Sequence, residues 1–288
     1  MRICRFNESR VGLVEDDTIR DVTSVLLDAL PGQRYPFPSQ DVFIASLPSL
    51  GTTLSEAAAR APALPVSAAR LLSPVANPGK VVAAPVNYEK HLAEVADDPN
   101  LHHQNAAHTQ TIVRSGLFLK ASSSVVGPSQ GVVIRHPDRR TDHEVELAAI
   151  IGKPARVVAA KEALGYVAGY CIGLDITIRG PEDRSFRKSL DTYTVLGPWM
   201  VTADEIADPS GLRLSLTVNG ETRQDASTSD LILNVAQLIE LASSFYTLFP
   251  GDALMTGTPE GVGPIQPGDV MVAKIDRIGE MTVNVKAG

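Results

Sequence analysis

The chain is poor in sulfur, poor in aromatic rings and without any long apolar run, and each shortage argues against a class of protein. Cys4 and Cys171 are its only cysteines, far apart and in no metal-ligand spacing. Neither a disulfide framework nor a thiolate zinc site organises such a chain, which reads as one from a reducing, intracellular setting. Aromatic residues make up 5% of the sequence, too few for a base-stacking surface. Positive charge is also short: 26 basic side chains face 33 acidic ones, for a net charge of −7. That balance argues against nucleic acid or an anionic membrane as the main partner. No stretch approaches the roughly 18 apolar residues of a membrane span. Glu8, Glu15 and Asp16 stand where a secretory signal would be apolar, so the expected location is the cytoplasm.

What is present is a 288-residue chain, 44% hydrophobic, enough for a large core. Its organising stretch is residues 142–152. Read with a period of two, Glu144, Glu146, Ala148 and Ile150 share one face, and Val145, Leu147, Ala149 and Ile151 share the other. Both faces turn apolar, as in a strand buried on both sides. Its two leading carboxylates point the same way about 7 Å apart, and they repel unless a positive group intervenes. A hard cation such as Mg²⁺, Mn²⁺ or Ca²⁺ would relieve them; a solvated edge strand is the plainer alternative.

The fold class expected is α+β, mostly β. Short β-runs at residues 3–6, 11–14 and 18–22 form a small meander, and helical stretches follow near 23–30 and 40–47. A further helix is predicted from the capping-box spacing of Thr53 and Glu56. Prolines at 62, 65, 74 and 78 interrupt regular structure, and the division is placed there: a small N-terminal α+β domain over 1–72 and a larger one over 73–288. Beyond it, residues 161–168 read as a short helix, 231–248 as a core helix, and Asn219-Gly220 as a type I′ hairpin turn.

Three more features carry chemistry. If a helix starts near Tyr88, His91 and Glu94 share a face, and a carboxylate-backed histidine is a general base tuned toward neutral pH; the alternative is an exposed surface pair. Asp175 lies in a nearly apolar run, where a lone aspartate is costly unless paired or coordinated. Arg179 could satisfy it, or it could join Glu144 and Glu146 as a third ligand, leaving positions for water and substrate. Residues 180–192 are dense in cations, and Lys188 could place its ammonium on a developing enolate or carboxylate. Residues 97–114, with His102, His103 and His108, read as a mobile loop or lid rather than a zinc site.

Taken in order, Asn87-Tyr88 with His91 and Glu94, Phe118-Leu119-Lys120, Glu144 with Glu146, Gly169-Tyr170 with Asp175, Lys188-Ser189 with Asp191, Gly197-Pro198, Asn219-Gly220, Pro250-Gly251-Asp252 and Thr256-Gly257-Thr258-Pro259 resemble the fumarylacetoacetate hydrolase family. The resemblance covers the chain from about Pro74 onward. It implies a catalytic domain built as a mixed β-sandwich roll, usually a homodimer, that binds Mg²⁺ or Mn²⁺ through Glu144, Glu146 and Asp175. It also implies acid–base and enolate-stabilising roles for His91, Glu94 and Lys188, with Tyr88, Lys120, Arg179 and Thr258 as substrate contacts. Members act on small 2-oxo acids. The expected reaction is metal-dependent hydrolysis of a C–C bond in an acylpyruvate of the fumarylpyruvate or fumarylacetoacetate kind. Decarboxylation of an oxaloacetate-like acid, or isomerisation or hydration of an oxo-dienedioate, is the alternative on the same site; a non-catalytic metal-stabilised binding protein is the third reading. The chain departs from the family after Arg179, where Gly180-Pro181-Glu182-Asp183-Arg184 replaces the usual Asp and Gln, and at Leu174, often Asn.

Overall fold

The computed structural model describes residues 1–288 apart from 31, 33, 34 and 104–108. Among the described residues the backbone is organised by a 12-stranded sheet. From one edge its order is Ala63–Pro65, Thr18–Asp21, Arg10–Glu15, Arg2–Phe6, Thr194–Thr202, Val167–Asp175, Val145–Ile151, Ala253–Met255, Val81–Ala83 and Phe118–Lys120. Two short strands, Leu71–Leu72 and Val125–Val126, join off this path. A five-stranded sheet containing the Arg213–Val218 and Glu221–Ser227 hairpin packs against it, and a three-stranded sheet joins Thr177–Ile178, Thr141–His143 and Gly263–Pro264. No helix of the described residues is long and apolar enough to cross a membrane.

The alternation read along residues 145–151 matches the layering. Val145, Leu147, Ala149 and Ile151 pack in one cluster with Leu214, Leu216, Met271 and Ala273 of the five-stranded sheet and with Leu238 and Ala242 of helix Val235–Phe245. Ala148 and Ile150 look the other way, into a cluster with Ile44, Leu47, Leu50 and Leu54. The large sheet is therefore covered on both faces, which is why its central strands are apolar along most of their length.

Three expectations need correction. Residues 142–152 are not one strand: Thr141–His143 and Val145–Ile151 belong to different sheets, and the chain changes sheets at Glu144. The helices expected at 40–47 and from Thr53 are one helix, Val42–Arg60, capped by Asp41 and running straight through Pro48. Its apolar side, from Phe43 through Leu47, Leu50 and Leu54 to Ala58, is continuous at helical spacing, and burial of that stripe outweighs the hydrogen bond lost at proline. The helix expected at 161–168 is a single turn, Ala160–Ala163, followed by a 3₁₀ turn and the start of strand Val167–Asp175. Asn219 and Gly220 both have positive φ, 51° and 83°, as the type I′ turn requires.

The first 72 residues are joined to the remainder by backbone pairing, Arg2 opposite Val201 and Ile3 opposite Met200, and by the shared cluster beneath helix Val42–Arg60. Leu54, fully buried there, is the sharpest probe of that seam. Leu54→Ala is expected to destabilise the protein by about 2–5 kcal/mol, read as a lower denaturant midpoint; an unchanged midpoint would show that the helix does not pack on the sheet.

Candidate metal centre and active site

Antiparallel neighbours bring the start of one strand beside the end of the next, and here that rule gathers the chemistry at one end of the large sheet. Val145 pairs with Leu174, so Glu144 and Glu146, at the start of strand Val145–Ile151, meet Asp175, at the end of strand Val167–Asp175. Strand Ala253–Met255 ends at the same place and delivers residues 256–258; Val81–Ala83 delivers residues 84–91. Oxygens of Glu144, Glu146 and Asp175 lie within 4.8 Å of one another, and all three residues are buried.

Each carboxylate is held by named partners. Glu146 Oε2 accepts the Gly257 amide at 2.7 Å. Glu144 accepts from Thr177 Oγ1 and Arg179 at 3.0 Å each and from Lys188 Nζ at 2.7 Å. Lys188 Nζ also donates to Asp175 Oδ2 at 2.8 Å and to Thr177 Oγ1 at 2.7 Å. Lys120 bridges Asp175 and the Tyr193 carbonyl, both contacts fully buried. Arg179 is shared between Glu144 and Asp142, and Arg140 closes the row on Asp142 at 2.7 Å.

The electrostatics split the two glutamates. Burial alone would raise the pKa of both. At Glu144 the charges of Lys188, then Arg179 and His91, outweigh burial and hold the carboxyl well below its ordinary range. At Glu146 burial dominates and the neighbouring Asp175 adds to it, so its pKa rises well above the ordinary value. Burial likewise lowers the Lys120 pKa, against the pull of Asp175. A buried carboxylate that its own protein leaves reluctant to ionise, beside two that cations already hold, is a donor set that suits a divalent ion. The fit is by oxygen chemistry, and the Lys188 ammonium already supplies positive charge at that spot.

The cavity beside this cluster is lined by all three carboxylates together with His91, Phe118, Arg179, Lys188 and Thr258, and by Val86, Val95 and Leu101. His91 is 4% exposed on helix Glu89–Asp97, and its Nδ1 sits 2.7 Å from Glu94 Oε2. Glu94 Oε1 in turn accepts the Gly261 amide at 2.9 Å, so the pair is pinned to the 257–263 loop. Only glycine serves at 261: its φ is +90° and an added Cβ would lie 2.0 Å from the Arg223 carbonyl.

The remaining sequence candidates are placed differently. Thr258 lines the cavity, but its hydroxyl donates to the Val145 carbonyl at 3.0 Å. Tyr88 is buried outside that lining, with no hydrogen-bond partner for its hydroxyl among the described residues, and burial and then Glu146 raise its pKa. Lys120 reaches the site through Asp175. Of the segment proposed as a lid, Leu101 lines the cavity and packs with Val95 and Val262, whereas His108 lies outside the described residues.

Sequence reasoning missed Asp142, which anchors Arg179, and Thr177. It also missed Gln224. From strand Glu221–Ser227, Gln224 accepts from the Val145 amide at 3.0 Å, contacts His143 Nδ1 at 3.2 Å, and donates to Thr258 Oγ1 and the Pro259 carbonyl at 2.8 and 2.9 Å. Nothing in the sequence marks it; the structure shows it as the buried residue of a strand that is otherwise exposed or half-exposed. Gln224→Ala leaves several buried groups unpaired and is expected to cost about 2–4 kcal/mol of stability; a denaturation midpoint equal to the parent's would refute that role.

Comparison with known proteins agrees with this geometry. Residues 80–286 match the model of the fumarylacetoacetate (FAA) hydrolase C-terminal family. The chain is 56% identical to a maleylpyruvate hydrolase of Aquipseudomonas alcaligenes over 287 residues, 100% of both chains. It is 36% identical over 226 residues to a mitochondrial oxaloacetate tautomerase of Rattus norvegicus, covering 77% of this chain and 68% of that one. Among solved structures, a maleylpyruvate hydrolase from Sphingobium sp. SYK-6, in complex with manganese (II) ion and pyruvate, is 38% identical with a TM-score of 0.84 and full coverage of both chains. With the match running from strand Val81–Ala83 to the last strand and taking in all three clustered carboxylates, the chain belongs to the fumarylacetoacetate hydrolase family.

Proposed function

We propose that the protein is a divalent-metal-dependent hydrolase that cleaves the C–C bond of an acylpyruvate of the maleylpyruvate type. The observation that carries this reading is the convergence of three buried carboxylate oxygens within 4.8 Å, beside a cavity also lined by His91, which Glu94 backs at Nδ1. The full-length relative of A. alcaligenes bears the name of that activity, and the Sphingobium structure contains Mn²⁺ and pyruvate.

Glu144, Glu146 and Asp175 would hold Mg²⁺ or Mn²⁺, which when bound supplies Lewis-acid stabilisation to a 2-oxo acid and to the charge it develops. Glu94 accepts the Nδ1 proton of His91 and leaves Nε2 free to take one from water. That water's oxygen bonds to the distal acyl carbonyl carbon as His91 takes the proton. The C–C bond then breaks, its electron pair passing to the pyruvyl carbon, and the proton held on His91 returns to that carbon. The products are a carboxylic acid and pyruvate. Lys188, whose ammonium lies between Glu144 and Asp175, stabilises the enolate oxygen. Arg179 and Lys120 hold Glu144 and Asp175 in place. Tautomerisation, the activity named for the R. norvegicus relative, would use the same oxo-acid site without an activated water.

Two outcomes test the reading. His91→Gln is expected to lower hydrolysis of maleylpyruvate roughly 10²- to 10⁴-fold while keeping the rise in melting temperature that Mn²⁺ produces; full turnover in this variant would favour tautomerase-like chemistry. Glu146 provides the second. Its folded pKa lies above its unfolded one, so without metal its ionisation opposes folding increasingly as pH rises through that elevated value. Glu146→Gln is therefore expected to match or exceed the metal-free parent in stability at pH 7 and to lose the Mn²⁺-induced gain, about 2.7 kcal/mol at a hundredfold excess over the dissociation constant. A variant that still gains in full would place the ion elsewhere.

A further inference from the structure

Asn87 belongs to the motif that carries His91, yet the hydrolytic steps do not use it. It is fully buried just after strand Val81–Ala83 and does not line the cavity. Its side chain is committed to two other loops. Nδ2 donates to the Leu233 carbonyl and to the Thr256 carbonyl, each at 2.8 Å, and Oδ1 accepts the Leu233 amide at 2.8 Å. Its own carbonyl accepts the Ile232 amide at 2.8 Å. Leu233 leads into helix Val235–Phe245, whereas Thr256 follows strand Ala253–Met255 at the carboxylate cluster.

The contact with Thr256 matters because of what the same peptide unit does on its other side. The bond between Thr256 and Gly257 joins the carbonyl that Asn87 holds to the amide that Glu146 Oε2 accepts at 2.7 Å. In a planar trans peptide C=O and N–H point in opposite directions, so a donor on the carbonyl fixes the aim of the amide. It also polarises the unit and strengthens its N–H as a donor. The flanks are anchored separately: the Thr256 amide and hydroxyl donate to the Leu147 carbonyl at 3.1 and 3.0 Å, and the Thr258 hydroxyl to the Val145 carbonyl at 3.0 Å. Between those anchors the unit can turn over by opposite rotations about ψ of 256 and φ of 257. Gly257, with φ +96°, accepts either sign of φ. Turned over, the unit presents its carbonyl to Glu146, and two acceptors then face each other.

We propose that Asn87 is a positioning residue for Glu146: by holding the Thr256 carbonyl it keeps the Gly257 amide aimed at that carboxylate, and so raises the affinity of the site for its divalent ion. This rests on the reading above that Glu146 helps to hold the ion. It adds a residue that touches neither ion nor substrate and acts through one peptide unit. Hydrogen bonds to a ligating carboxylate fix its orientation, and removing such a partner typically weakens metal binding roughly 10- to 100-fold.

Calorimetry with Mn²⁺ alone tests this on the full chain, using parent, Asn87→Ala, Gly257→Ala, the double variant and, as a control for lost stability, Leu54→Ala. The Kd of folded Asn87→Ala is expected to rise roughly 10- to 100-fold, while Leu54→Ala keeps the parent's value. A similar rise is expected for Gly257→Ala, since alanine disfavours positive φ and its Cβ would lie 2.8 Å from that of Asn87. Because both changes act through one peptide unit, the double variant is expected to bind Mn²⁺ no more weakly than the worse single one. An unchanged Kd in folded Asn87→Ala overturns the proposal, and so do additive effects in the double variant. Should Asn87→Ala fail to fold, because it also loses the Leu233 contacts, Gly257→Ala decides alone, and an unchanged Kd there is the refutation. A parent that binds no Mn²⁺ refutes the metal reading instead. Crystal structures of metal-free parent and Asn87→Ala then decide the positioning role, which is rejected if the Gly257 amide still donates to Glu146 in the variant and supported if it has turned away.

Discussion

Three carboxylates held close together away from water form the constraint that the rest of this molecule answers. Buried like charges repel strongly, and each needs a cation, a hydrogen-bond donor or a proton. The chain meets this with Lys120, Arg179 and Lys188, each drawn from a different segment, and with the Thr177 hydroxyl and the Gly257 amide. Because these donors come from residues so far apart in sequence, the cluster exists only once the whole sheet has formed. Among the described residues Glu146 is the member with no ion pair of its own, and its reluctance to ionise makes the site receptive to an ion.

The backbone explains why so many segments reach one place. Strands of alternating direction end where their neighbours begin, so a single end of the large sheet receives the start of Val145–Ile151, the end of Val167–Asp175 and the loop after Ala253–Met255. The change of sheet at Glu144 matters for the same reason. It lets Glu144 lean toward Thr177 of the small sheet and Arg179 just beyond it while Glu146 faces the Gly257 loop.

Much of this was legible before any coordinates. The two-residue alternation of 145–151, the lone acid at Asp175 and the i,i+3 spacing of His91 and Glu94 are local patterns, and local patterns survive in sequence. What escaped is what depends on distant partners. The helices expected at 40–47 and from Thr53 read as two because the apolar stripe that carries one helix through Pro48 is visible only when both halves are known to face the same sheet. The passage of residues 141–151 between two sheets leaves no mark on a strand that is β-like throughout. Gln224 was silent because a polar residue in a strand shows its role only when its partners arrive, here from 34 to 81 positions away, and Asp142 because Arg179 lies 37 positions on. Tyr88 and Thr258 were noticed as members of a motif, a pattern that does not tell which way a hydroxyl points.

Gln224 also connects the cavity to the outside of the molecule. The strand that carries it, Glu221–Ser227, is otherwise exposed or half-exposed, yet this one amide clamps the strand start at Val145 and the turn at Thr258 and Pro259. Surface changes on that strand, in positions that never meet a ligand, thus have leverage on the spacing of the carboxylates. For an engineer, or for evolutionary drift, it is a tuning peg placed where it can be turned without disturbing the chemistry directly.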